Sequence, residues 1–301
     1  MQKPLYQDPF LSYDKQISLL KSRGLLFNDE SQALNLLKRV SYYRLSSYFL
    51  PFQSSIQNKI FVNNVDFDDV FNLYQFDADL REIVMTGTRE IEIAVRSKMV
   101  YTLSLSNGSF WLEQKDLFSD FKEYTNTISK IIMEIDRSQE SFIVSFRNGY
   151  SNSTPPAFMV FETTSFGTLS RIYKHLKLDT NKREIAHFFG LPSVVFESWL
   201  HSLVYIRNIC AHHARLWNRE IRIKPNLPIK ISKNTWLSNK QVRRDRIYII
   251  LSMIIYLLNA IDPKHTFKQK LIDLFSKYPH INKNAMGFPQ NWQKEVLWCS
   301  R

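Results

Sequence analysis

The sequence predicts an all-α, mainly helical protein, and three observations carry that prediction. Only 7 glycines occur in 301 residues, whereas sheets and barrels consume glycine at tight turns with positive φ. Apolar residues make up 44% of the chain and aromatics 14%, enough for a packed core and unlike a disordered polyelectrolyte. Apolar positions recur at spacings of three and four, as at Ile128, Ile131, Ile132 and Ile135, the period of a helix with one buried face.

Taken in order, the first helix is expected from Ser12 to about Arg23, with Ser12 as N-cap, Ile17, Leu19 and Leu20 inward, and Gly24 as the stop. A second runs from Ser31 through Leu50 and ends at Pro51. The apolar segment Lys59–Val65, between turn signals, is expected as a short strand. Helices then follow over Asp66–Leu73, Asp77–Leu105 and Asp116–Arg137, and Pro155–Pro156 punctuate the chain. Beyond them come Thr168–Leu176, Lys182–Phe189 and a long helix from Ser193 to Trp217. Arg219–Ser232, with Pro225 and Pro228 around short alternating runs, reads as an irregular or β-hairpin-like insertion. Gln241–Ile261 and His265–Tyr278 complete the body. Without repeats, low-complexity segments or long linkers, residues 1–301 are expected as one domain, with 1–65 an N-terminal helical part and 66–301 a helical core with C-terminal helices.

Charge is distributed unevenly. Residues 1–150 hold 17 Lys+Arg against 19 Asp+Glu, while residues 151–301 hold 23 against 9. The net +12 therefore resides in the second half, the footprint of a surface that binds a polyanion through counterion release; many solvated lysines, or lipid headgroups as the partner, are the alternatives. Cys210 and Cys299 offer neither a disulfide framework nor a zinc-type pair. The stretch MQKPLYQDPF lacks the basic flank and apolar run of a secretory signal, so a cytoplasmic setting is expected. The longest apolar run, Ile247–Ile261, falls short of the ~20 residues that span a bilayer. A buried core helix is expected there, although Arg243, Arg244 and Arg246 precede it as they would a membrane anchor.

The densest collection of chemistry is YIRNICAHHARLWNRE, residues 205–220. It gathers Arg207, Asn208, His212, His213, Arg215, Asn218 and Arg219 at the end of a helix whose other positions are Phe196, Trp199, Leu200, Leu203 and Ile209. A histidine that titrates near neutrality can move the proton of a ribose 2′-hydroxyl, and an always-charged guanidinium can stabilise a phosphorane. Five residues of helix set Arg207 and His212 about 140° apart, so they would converge through the long Arg arm, a distorted helix or a second copy across a two-fold axis. Asn208 shares the face of His212, four residues on, and could orient the imidazole. Metal binding by Cys210 and His213 lacks a third ligand at recognisable spacing, so neither a metal nor another cofactor is expected. The plain alternative is two histidines that cap or pair within a bundle.

The run RNICAHHARLWNR, with SYDKQISLLKSRGL, LKRVSYYRLSSYFLPF, LYQFDADLREIV, EIEIAVRSKM and FETTSFGTLSRIYKHL in that order, resembles the Abi-like family (AbiD/AbiF) of abortive-infection bacteriophage resistance, a branch of the HEPN superfamily. The resemblance implies a HEPN-type helical bundle that forms a homodimer and cleaves RNA without metal at a composite Arg/His site. On it, Arg207 matches the motif arginine, Asn208 its polar follower and His212 the motif histidine, while His213 also satisfies the permitted spacing. It further implies RNA as partner, both as substrate and, in some members, as a small inhibitory noncoding RNA.

Further candidates each stand beside a simpler role. Glu92 and Arg96 form an i,i+4 pair that either supports the site or only braces its own helix. Arg44 sits among Tyr42, Tyr43 and Tyr48 as a phosphate contact beside core aromatics. Glu162 is either an acid in the site or an interface residue, with Ser165 or Thr168 capping the next helix. Arg215, Arg219, Arg222 and Lys224, with Arg243, Arg244 and Arg246, would grip RNA phosphates or form a solvated surface. Two rival functions stand beside the ribonuclease: an RNA-binding protein that does not cut, and a membrane-associated effector.

Overall fold

The structure, a computed structural model, describes residues 5, 9–55, 57–229, 235–239 and 241–299. Among the described residues it contains twelve α-helices and no strand, so the fold is mainly α. The chain divides into two compact units, Met1–Leu80 with Leu274–Ile281, and Arg81–Asp273 with Asn282–Arg301.

In the first unit, α1 (Tyr13–Ser22) begins where Ser12 accepts the Lys15 N–H, and α2 (Glu30–Val40) where Asp29 accepts that of Gln32. The helix expected over Ser31–Leu50 breaks at Ser41, whose φ of 68° ends α2 while its hydroxyl caps α3 (Tyr42–Phe49). The strand expected at Lys59–Val65 does not form. Lys59 and Asn64 take positive φ and interrupt the extended run, leaving only single bridges, Gln53 to Phe61 and Leu26 to Asp66.

The two helices expected over Asp66–Leu105 are one, α4 (Phe67–Asn107), which contributes to both units. Asp77, taken from sequence as a helix start, is instead fully buried within it and accepts a 2.6 Å hydrogen bond from the Tyr48 hydroxyl. That bond offsets the cost of burying the carboxylate.

The second unit continues with α5 (Phe121–Arg137), which starts later than Asp116 because 3₁₀ turns occupy Trp111–Glu113 and Lys115–Leu117. Two short helices, α6 (Ser141–Gly149) and α7 (Ala157–Thr163), fill what sequence left as connection. Next are α8 (Phe166–His175), α9 (Thr180–Phe188) and α10 (Ser193–Ala211), the last six residues shorter than expected. The segment after α10 is irregular over its described part, and the end of the expected insertion, 230–232, lies outside the described residues. Trp199 Nε1 donates to the Asn226 carbonyl at 2.8 Å and Ser202 Oγ to that of Ile223 at 3.1 Å, pinning this segment back along α10. α11 (Ile247–Ile261) starts six residues later than expected, and α12 is Phe267–Lys277.

α10 packs on α8, α9 and α11, and α5 on α7 and α8. The core centres on α11, every residue of which from Ile247 to Leu258 is buried. Gly87 of α4 lets this core close: a Cβ there would lie 2.8 Å from Ile254 and 2.6 Å from Phe267. Among the described residues no helix is long and apolar enough to cross a membrane.

Candidate functional site

The site residues follow from how α10 ends. Phe196, Trp199, Leu200, Leu203 and Ile206 are fully buried, which fixes the helix's orientation and turns Glu197, His201, Val204 and Asn208, at spacings of four, three and four, towards its polar side. Sequence periodicity continues through Leu216 and Trp217, both buried, but the helix itself stops at Ala211. His212 is its C-cap and His213 takes φ 53°. The Ala214 N–H then bonds the Ile209 carbonyl at 3.0 Å and the His213 N–H that of Cys210 at 2.9 Å, the paired closure of a Schellman turn. Glycine usually occupies that left-handed position, and a histidine there costs on the order of 1 kcal/mol.

His212 and Asn208 are exposed, and Arg207 is half-buried. Arg207 Nη1 donates to Asn208 Oδ1 at 3.4 Å, and the Asn208 carbonyl accepts the His212 N–H at 3.0 Å. The Asn208 side chain thus bonds the arginine rather than the His212 imidazole that it was expected to orient, and its link to His212 is the backbone bond of the helix end. The Arg207 end of this arrangement is half-buried, while His212 and His213 are exposed at the turn.

Glu92 and Arg96 do bond to each other, at 3.0 Å, with side chains only 16% and 14% exposed. Arg96 also donates to the carbonyls of Phe161 and, at 3.1 Å, Thr164. Its guanidinium therefore closes the C-terminus of α7, where carbonyls lack helical partners. Immediately after, Ser165 caps α8 by accepting the Thr168 N–H at 3.2 Å, and Glu134 accepts the Thr168 hydroxyl at 2.9 Å. A Cβ on Gly167 would stand 3.8 Å from Val204, so this braced corner meets α10 one turn before Arg207. Glu162 is exposed on the last turn of α7.

The basic candidates are used differently. Arg219 donates to the Arg215 carbonyl at 3.0 Å, tying the turn beyond His213 to itself. Arg243 makes two bonds to the Asp245 carboxylate, at 3.0 and 3.1 Å, which hold that carboxyl below its usual range. Arg246, half-buried, packs so closely on Gly287 that a Cβ there would lie 2.5 Å from its own. Arg222, Lys224 and Arg244 are exposed. Arg44 belongs to the other unit, exposed on α3. Among the described residues no group of three or more His, Cys, Asp or Glu could hold a metal ion.

Sequence reasoning missed a groove of about 810 Å³ between α5, α8 and α10, lined among others by Lys130, Arg171, Lys174 and His201. The signal available for it was the four-and-three spacing from Glu197 to Asn208; the α5 and α8 walls had no local signature, because only tertiary packing brings them to α10.

No curated protein and no solved structure matches the chain at a significant level. The sequence model of one family, described as Abi-like protein, matches residues 35–218. That span is more than half the chain and contains α3 to α10, the braced α7–α8 corner and the complete Arg207–His213 turn. The chain belongs to the Abi-like protein family, and membership implies a part in abortive-infection phage defence.

Proposed function

We propose that the protein is a metal-independent HEPN endoribonuclease that acts as an abortive-infection toxin in the cytoplasm. One observation carries this reading: a helix with one buried face ends in an exposed turn, so that Arg207 and Asn208 in its last turn and His212 and His213 just beyond it are gathered at one end of α10. Family membership supports it, as does the excess of basic charge in the half that contains the turn.

In this reading His212 takes the proton of the ribose 2′-hydroxyl, whose oxygen attacks the adjacent phosphorus. Arg207, positioned by Asn208, stabilises the charge that develops on the non-bridging oxygens. As the P–O5′ bond breaks, a protonated imidazole returns a proton to the leaving oxygen. That acid is His213 or a histidine of a second copy, since a homodimer would place two such turns on one phosphodiester. The products carry 2′,3′-cyclic phosphate and 5′-hydroxyl ends.

The test is cleavage of mixed cellular RNA, in EDTA, by protein stripped of copurifying nucleic acid, beside Arg207→Ala and His212→Ala. Cutting by the wild type with cyclic phosphate ends, lost in both variants, is the expected result. A folded wild type that binds RNA and cuts none would replace the enzyme with a noncatalytic RNA-binding protein.

A further inference from the structure

The groove between α5, α8 and α10 runs along one face of α10 and ends at Val204, four residues before Asn208 on that face. Its floor is Glu197, Ser198, His201 and Val204, and the same stripe continues through Asn208 to His212. From His201 to His212 the helical rise amounts to about 16 Å. The side walls are Lys130 of α5 and Arg171 and Lys174 of α8, with Asn226 from the segment pinned along α10.

Its charges do not cancel. Glu123 is shared between His175, at 3.4 Å, and Arg171, at 3.8 Å, and Glu197 is held by Lys182 at 3.0 Å. Lys130, Lys174 and His201 have no carboxylate within ion-pair distance among the described residues, and all three are exposed. The acids are thus engaged by neighbours, while two lysines stand free on opposite walls. At the end nearest the turn the groove is bordered by Gly167, where a Cβ would meet nothing nearer than 3.8 Å; no packing constraint requires glycine there, and its lack of a side chain adds no bulk beside Val204.

Resting on the ribonuclease reading, we propose that this groove is the path of single-stranded RNA flanking the scissile bond, with Lys130, Arg171 and Lys174 on successive phosphates and His201 and Asn226 against bases or ribose. Free cations on two walls match a backbone that carries charge at regular intervals, and polar groups along the floor match the sugar and base edges. The cutting site is then at one end of the bound strand, so a dinucleotide reaches the turn but not the groove.

The experiment measures binding of a fluorescent single-stranded RNA of about 12 nucleotides by anisotropy over a range of salt. The protein carries His212→Ala, so that bound RNA stays intact. Adding Lys130→Ala and Lys174→Ala is expected to weaken binding about tenfold and to lower the slope of log K against log salt by about 1.4, at roughly 0.7 per lost phosphate contact. Lys130→Arg with Lys174→Arg restores both. Lys264→Ala with Lys270→Ala, an equal loss of exposed charge elsewhere in the same unit, leaves the slope unchanged. A groove pair that binds like this control, or an RNA that does not bind the His212→Ala chain at all, overturns the proposal. If the wild type nevertheless cuts RNA, the enzyme survives and only the groove falls; a groove pair that loses the slope in a protein that never cuts sinks the enzyme and leaves the groove.

Discussion

The last turn of α10 and the whole of α11 lie in the same unit and pack within one core, yet they obey opposite rules. α11 is apolar on all sides and buried from Ile247 to Leu258, so over that span each residue is held by neighbours and none is available to a ligand. α10 is buried on one side only, and where it stops it turns through a left-handed histidine to present polar groups to solvent. Buried apolar contacts are concentrated in the first, and exposed polar groups in the second. Their separation lets the domain carry a turn with one residue in the left-handed region while its core stays closed.

The comparison breaks most visibly if activity and stability fail to separate. Arg207→Ala and His212→Ala are each expected to lower the rate of RNA cleavage by about 10²–10⁴ while leaving the thermal midpoint close to that of the wild type, because His212 is exposed and the Arg207 guanidinium bonds the exposed Asn208. A midpoint that collapses with the rate would mean that the turn is part of the core. In α11 the expectation is reversed. Ile254, fully buried against the space that Gly87 leaves open, should cost about 2–5 kcal/mol when replaced by Ala. Urea unfolding measures this, and at a temperature where the variant stays folded its cleavage rate should be unchanged.

The same contrast governs what the sequence could reveal. α11 was legible because fifteen residues without a charge admit few environments, although its start was placed at Gln241; the polar residues before Ile247 form a turn held by Arg243 and Asp245 instead. Asp77 looks like a start signal and so divides α4 into two expected helices, and only tertiary contact with Tyr48 makes it an interior residue. The composition of the site was legible too, since a cluster of arginine, asparagine and histidine after an apolar helix is visible in one line of sequence. Its geometry was not. Leu216 and Trp217 continue the apolar period, no glycine marks the end, and the turn at His213 is chosen by packing of the following residues rather than by local propensity. The groove was illegible for a related reason, as Lys130 and Lys174 approach His201 only after three helices have packed.

A smaller effect sharpens the account of the turn itself. His213 holds a backbone conformation that glycine adopts without strain. His213→Gly should therefore leave stability unchanged or raise it by up to about 1 kcal/mol, measured by urea unfolding. If the same variant also keeps full cleavage, His212 is the histidine that matters and His213 serves only the turn. If cleavage falls while stability rises, the strain is retained for chemistry, and His213 supplies one of the two proton transfers.

The smallest effect comes from a histidine of the opposite kind. His265 is half-buried, with Nε2 2.9 Å from Asn259 Oδ1 and Nδ1 accepting the Phe267 N–H at 3.2 Å. A ring that accepts at Nδ1 carries its proton on Nε2, so it is neutral, and a second proton would break the bond at the start of α12. Burial lowers its pKa, Asp262 opposes the shift, and Lys268 adds to it. His175 is lowered as well, burial outweighing the opposing charge of Glu123. With the folded pKa below the ordinary value of about 6.5, the unfolded chain binds the proton first. The contribution is fully present above that pH and is lost as pH falls through the folded value. The fall in thermal midpoint from pH above to pH below about 6.5 should accordingly be smaller in His265→Gln than in the wild type, and smaller again when His175→Gln is added. An unchanged acid response in both would mean that neither ring takes up its proton at the expense of a native contact, and these two histidines would then have no part in the acid sensitivity of the fold.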